Sequence, residues 1–115
     1  MNNHREIGSR KEEEAARFLE RKGYRILERN YRSRHGEIDL IALDGEVLCF
    51  IEVKYRGSHA AGSSGEGITP RKRGRIRSCA AAYLYDQRLG EDTPCRFDAV
   101  LMDGAYLRLV KDAFS

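Results

Sequence analysis

Within GEIDLIALDGEVLCFIEVKYR, Gly36 to Arg56, four charged residues sit among apolar ones: Glu37, Asp39, Glu52 and Lys54. Residues two apart on a strand share a face, which groups Glu37 with Asp39 and Glu52 with Lys54. Two carboxylates about 4 Å apart repel by roughly 4 kcal/mol at a surface-like dielectric, so three acids together need a positive partner. That partner is either a divalent cation with oxygen ligands or an ion-pair network through Lys54 and a neighbouring Arg. The first would be a metal site, the second an inert charged hairpin. An Asp followed about a dozen residues later by Glu-x-Lys does not by itself decide between them.

The hairpin must place these charges. With Asp44-Gly45 as a two-residue loop, Leu43 faces Glu46, Asp39 lies opposite Phe50, and Glu37 lies opposite Glu52. Alternation makes one face apolar from Ile38 to Val53 and gathers all four charges at the open end of the other, beyond Ile41, Leu43, Leu48 and Phe50. A face that is apolar near the turn and charged only at its open end predicts a cleft mouth there.

A helix is expected over about Arg10 to Lys22, with Ser9 as N-cap and Gly23 just past the end. Glu12 precedes Ala15, Ala16 and Leu19 by three, four and seven positions, which puts it on their inward stripe, with Glu13 and Glu14 turned more to solvent. It is either a further carboxylate for the cluster or a partly exposed Glu favoured by the helix dipole. YRILERNYR reads as a strand and SRHG as the turn into the hairpin.

RGSHAAGSSGEG cannot bury much apolar surface and reads as a mobile loop. Thr69 and Pro70 then open a second helix as N-cap and first residue, with Ile76, Cys79, Ala80, Tyr83 and Leu84 inward. CRFDAVLM, a turn at Asp103-Gly104 and AYLRLV make a second hairpin, with KDAFS as a short tail and Arg96 and Asp98 as a structural ion pair. The order predicts an α/β fold, a mixed sheet flanked by helices, in a single domain covering residues 1–115.

A formal charge of +3 is modest, but RKRGRIR, Arg71 to Arg77, contains no acid. Such a run is either a solvated helix face or a track for a nucleic-acid backbone. Three cysteines, widely separated and without C-x-x-C spacing, indicate neither a disulfide framework nor a zinc knuckle. No stretch is long and apolar enough to span a bilayer and the amino terminus has no signal-like core, so the expected location is the cytoplasm.

GEIDLIA and FIEVKYR resemble the Asp…Glu-x-Lys core of the PD-(D/E)XK nuclease superfamily. Taken with EEEAARFLERKGYRILERNYR, ITPRKRGRI, RFDAVLM and the terminal DAF, they resemble the bacterial YraN-like family over about Gly8 to Phe114. That family is grouped with archaeal Holliday-junction resolvases, and the resemblance implies a restriction-endonuclease-like αβββαβ core. The resolvase-like pattern falls on Glu12, Gly23, Tyr24, Asp39, Glu52 and Lys54. The sequence departs from the pattern at Ile38, where the superfamily's namesake Pro would stand, and at Lys11, where Gly is common. Neither removes a catalytic group.

The resemblance implies a metal-dependent endonuclease acting on DNA, branched DNA included, and by analogy a homodimer. The implied catalytic set is Glu12, Asp39, Glu52 and Lys54. Mg²⁺ or Mn²⁺ would be held by Asp39, Glu52, Glu12 and the Val53 backbone carbonyl, with Glu37 as an accessory ligand or a partner of the preceding loop. Arg56, Arg71, Lys72, Arg73 and Arg75 would hold the phosphate backbone. The rival readings are a nucleic-acid-binding module without catalysis and a protein-interaction domain.

Overall fold

Two glycines with left-handed backbone set the hairpins. Gly45 (φ +64°) and Gly104 (φ +63°) each stand first in a two-residue loop, closed by the pairs Asp44–Val47 and Asp103–Tyr106. Glycine at the first loop position suits a type II′ turn, whose twist matches that of the strands. The loops are therefore Gly45-Glu46 and Gly104-Ala105, one residue later than the Asp-Gly expectation in both hairpins.

The computed structural model describes residues 3–55 and 68–114. In chain order the elements are α1 (Asn3–Arg21), β1 (Arg25–Ser33), β2 (Gly36–Asp44), β3 (Val47–Tyr55), α2 (Pro70–Asp86), β4 (Cys95–Asp103) and β5 (Tyr106–Phe114). The strands form one mixed sheet in the order β1-β2-β3-β4-β5. Neighbours are antiparallel except β3 and β4, which run parallel because α2 carries the chain across between them. This is the expected α/β architecture, compatible with a restriction-endonuclease-like core.

α1 covers one face of the sheet, where Ala15, Ala16 and Leu19 pack on Leu40, Cys49 and Ile51. α2 covers the other, where Ile76, Cys79, Ala80 and Tyr83 pack on Ile41, Leu48 and Phe50. Thr69 caps α2 as expected, its side chain accepting the Lys72 N–H at 3.2 Å. α1 ends where expected: Gly23 (φ +98°) lets the Tyr24 and Gly23 N–H groups reach back to Leu19 and Glu20 at 3.0 Å. Buried Tyr24 is thereby delivered under β4.

Several expectations are corrected. α1 starts at Asn3, so Ser9 is not its cap; no Pro interrupts residues 3–9, and Gly8 weakens the helix by only about 1 kcal/mol. KDAFS is no tail, because β5 continues to Phe114, whose ring stacks on Phe97 at 5.0 Å. The β2–β3 register moves by two residues: Leu43 faces Leu48 and Leu40 faces Ile51. A shift of two keeps every side chain on its face. Ile38 is the exception, packing with Phe50 and Ile76 instead of with Leu40.

Candidate active site

The shifted register brings Asp39 level with Glu52. The β2–β3 ladder ends at Leu40–Ile51, and the next contact is made by a side chain: the Val53 N–H donates to Asp39 Oδ2 at 2.8 Å. The strands part there, and a carboxylate takes the place of a main-chain carbonyl. Glu37, expected opposite Glu52, instead pairs with Arg32 of β1 across the strand and through a 3.5 Å ion pair.

On the far side of Asp39, Arg29 pairs with Leu40 and Tyr31 with Ile38, which leaves Asn30 opposite Asp39. Asn30 has φ +52°, a left-handed conformation in which Asn is tolerated better than most residues. This interruption accompanies the change of face between Ile38 and Leu40. Asn30 hydrogen-bonds the Glu12 carboxyl, so the kink in β1 and the inward stripe of α1 meet at one acid. Glu13, expected to turn outward, reaches β1 as well and ion-pairs with Arg29.

Three carboxyls thus act on one another electrostatically. Burial and the charge of Glu52 push half-buried Asp39 up to about 8, with Glu12 adding to the rise while the Val53 N–H and Lys72 oppose it. Burial, followed by the charges of Glu37 and Glu52, raises Glu12 against the Asn30 hydrogen bond and Arg32. Glu52 is buried, at 6% exposure, and ion-pairs with Lys72 from the first turn of α2. Burial disfavours the Lys72 ammonium, yet its hydrogen bond to Glu52 and the nearby acids leave its pKa raised.

The donors suit a hard cation: oxygen atoms of negative groups whose mutual repulsion a single Lys does not relieve at Asp39. Among the described residues, no three His, Cys, Asp or Glu side chains are grouped tightly enough to hold an ion as they stand. Asp39 is engaged by Val53, Glu52 by Lys72 and Glu12 by Asn30. Val53 meets the site through its N–H. Lys54, two residues beyond Glu52 on β3, is half-buried opposite Leu101 of β4.

Beside the carboxyls lies an open cleft of about 620 Å³ between the β1–β2 turn and the start of α2. Arg32, Arg71, Lys72 and Arg75 line it together with Glu37, and α2 has no acid in its first turn. Basic side chains and the positive end of the helix dipole there favour anions. Arg73 is not part of this lining, and Arg56, with the Gly/Ser stretch 57–67, lies outside the described residues.

Sequence reasoning missed Asn30, and it did not foresee that Lys72 bonds Glu52. Arg32 was visible as one of four arginines along YRILERNYRSR and, with Arg29 and Arg34, as a basic cluster suited to a nucleic-acid backbone, a signal for a patch though not for its place in the cleft. Asn30 carries no such signal, because a left-handed residue inside a strand leaves no mark in composition or periodicity.

Comparison with known proteins places the chain. A model of the family described as "Uncharacterised protein family UPF0102" matches residues 11–102. A UPF0102 protein of Lachnoclostridium phytofermentans is 50% identical over 107 residues, covering 93% of this chain and 91% of the relative. One of Dechloromonas aromatica is 50% identical over 108 residues, or 94% and 88% of the two chains. A third, from Symbiobacterium thermophilum, is 48% identical over 116 aligned positions, covering 96% and 97%. The matched span runs from Lys11, through all four residues of the expected catalytic set, to Met102, and the chain belongs to the UPF0102 (YraN) family.

Proposed function

We propose that the protein is a metal-dependent endonuclease that hydrolyses phosphodiester bonds of DNA, four-way and other branched DNA included. The observation that carries this reading is the meeting of Asp39 and Glu52 where β2 and β3 part, beside a basic cleft. A purely structural hairpin has no use for a carboxyl whose pKa is pushed up to about 8 by burial and an acidic neighbour.

Asp39 and Glu52 would hold Mg²⁺ or Mn²⁺, joined by Glu12, whose carboxyl is hydrogen-bonded by Asn30 and feels the charge of Glu52. Such an ion, when bound, supplies polarisation of the scissile phosphate and a more acidic water. Lys54 shares the Glu52 face of β3 and would orient the attacking water and stabilise charge developing on phosphoryl oxygens. Arg32, Arg71 and Arg75 would hold the backbone on either side without reading bases. Arg73, outside the cleft lining, and Arg56, outside the described residues, remain proposed backbone contacts.

A second reading, a nucleic-acid-binding module without catalysis, draws on the Lys72–Glu52 ion pair, which already neutralises one acid. One experiment separates the two. Linear, single-stranded, flap and four-way DNA are incubated with Mg²⁺ or Mn²⁺ and wild type, Asp39→Ala, Glu52→Ala or Lys54→Ala protein. The nuclease reading expects cleavage by wild type and a loss of at least about 10³-fold in each variant with circular dichroism unchanged. Retention of full activity in Glu52→Ala sinks it. Salt-dependent binding of the same DNA by wild type without any cleavage favours the second reading.

A further inference from the structure

Lys72 stands at a junction that neither its helix nor its charge run explains. Its backbone N–H is spent on the Thr69 cap, while its ammonium leaves the basic face of α2 to pair with Glu52. Glu52 is 7% exposed at its side chain and Lys72 54%, so a buried acid is met by a half-solvated cation. Lys72 also lines the basic cleft with Arg71 and Arg75. One side chain therefore borders both the carboxyls and the anion-favouring cleft.

We propose that Lys72 is an exchangeable internal counter-ion: it neutralises Glu52 until a divalent cation takes its place, and the displaced ammonium then serves phosphate in the adjoining cleft. The inference rests on the metal reading of Asp39 and Glu52 and adds to it a competition and a hand-over. The physical reason is charge economy. An ammonium and a divalent cation at the same carboxylate repel each other, and the ion with two charges and oxygen preference prevails at a pair of acids. The long flexible stem of Lys lets its ammonium move between the two positions without disturbing the helix. A rigid buried Arg would not do so. The consequence is coupling: cation binding raises the positive charge available to a phosphate, and phosphate binding to Lys72 opens Glu52 to the cation.

The test titrates Ca²⁺, a hard oxygen-seeking probe, by calorimetry at pH 8 into wild type, Lys72→Met and Arg75→Met protein. Removing the competing ammonium is expected to tighten Ca²⁺ binding about tenfold in Lys72→Met and much less in Arg75→Met, which loses the same charge from the same cleft. Equal tightening in the two variants, or none in Lys72→Met, overturns the counter-ion role and leaves the metal reading intact. Absence of Ca²⁺ binding in all three proteins overturns both.

The ammonium itself can be followed without any folding question by ¹⁵N NMR of lysine-labelled wild type. Ca²⁺ should move the Lys72 Nζ resonance, and an unmoved resonance at saturating Ca²⁺ overturns the proposal. For the hand-over, the salt dependence of binding to a short DNA duplex should lose about one unit of log–log slope in Lys72→Met when Ca²⁺ is present, and almost none in EDTA. The same loss in both conditions overturns it.

Discussion

Asp39 and Asp98 are built alike and end in opposite states. Each lies in a strand of the sheet, and each accepts a main-chain N–H from the residue fourteen positions later on a neighbouring strand: Val53 at 2.8 Å and Asp112 at 2.9 Å. Asp98, at 0% exposure, also receives the Arg96 guanidinium at 2.8 and 2.9 Å and the Tyr24 hydroxyl at 2.8 Å. Burial alone would raise its pKa, but Arg96, the Asp112 N–H and Tyr24 hold it below the usual carboxylate range. Arg96 continues to Asp44 at 2.8 Å, so the charges at that end of the sheet are satisfied within the protein. Asp39 has acids for neighbours instead, and its carboxyl resists ionising. One aspartate closes a network; the other leaves a deficit that an added cation would fill.

The largest effect should come from breaking the satisfied end. Asp98→Asn leaves Arg96 short of its buried partner and should destabilise the protein by about 3–5 kcal/mol, read from urea midpoints. The same change at Asp39 should do the reverse. Between roughly pH 4 and 8 the unfolded chain ionises Asp39 while the folded one keeps it protonated, so the folded state binds more protons and stability falls as pH rises. Asp39→Asn should therefore match wild type at or below about pH 4 and exceed it near pH 9 by on the order of 2 kcal/mol, with most of the slope removed. Destabilisation by Asp39→Asn at pH 9 would erase the contrast.

A smaller effect sharpens the role of Asn30. Asn30→Gly accepts the left-handed backbone and should change stability by only a few tenths of a kcal/mol, while Asn30→Ala adds about 1 kcal/mol of strain. Both lose the hydrogen bond to Glu12, and both should lower cleavage to a similar degree if Asn30 acts by positioning that acid. The smallest effect on the site is expected for Thr69→Ala, which should cost about 1 kcal/mol of stability from the lost cap of α2, with no selective effect on Asp39.

Much of this arrangement was legible in the residues because parity is robust. The loop was misplaced by one residue and the register by two, yet Asp39, Glu52, Ile41 and Phe50 kept their faces. Such an error preserves alternation and alters only which residues stand level. The difference between an Asp-Gly and a Gly-Glu loop lies in backbone twist, which residue types alone do not report. The start of α1 misled because Ser9 with Glu12 three residues on looks like a cap, although here it lies inside a longer helix. Arg96 and Asp98 were readable as a pair because they are two apart on one strand. The Lys72–Glu52 pair joins α2 to β3 across the Gly/Ser stretch, and no local pattern announces it.

The sheet's two rims share a feature with a consequence for how copies of the protein meet. Edge strand β1 carries Asn30 at φ +52° and edge strand β5 carries Asp112 at φ +55°. At Asp112 the main-chain N–H is turned to Asp98, beside the register break between Phe97 and Ala99. Each rim is thus interrupted partway, so neither offers a long straight template onto which another chain could crystallise strand by strand. At high cellular concentration this guards against fibrous growth.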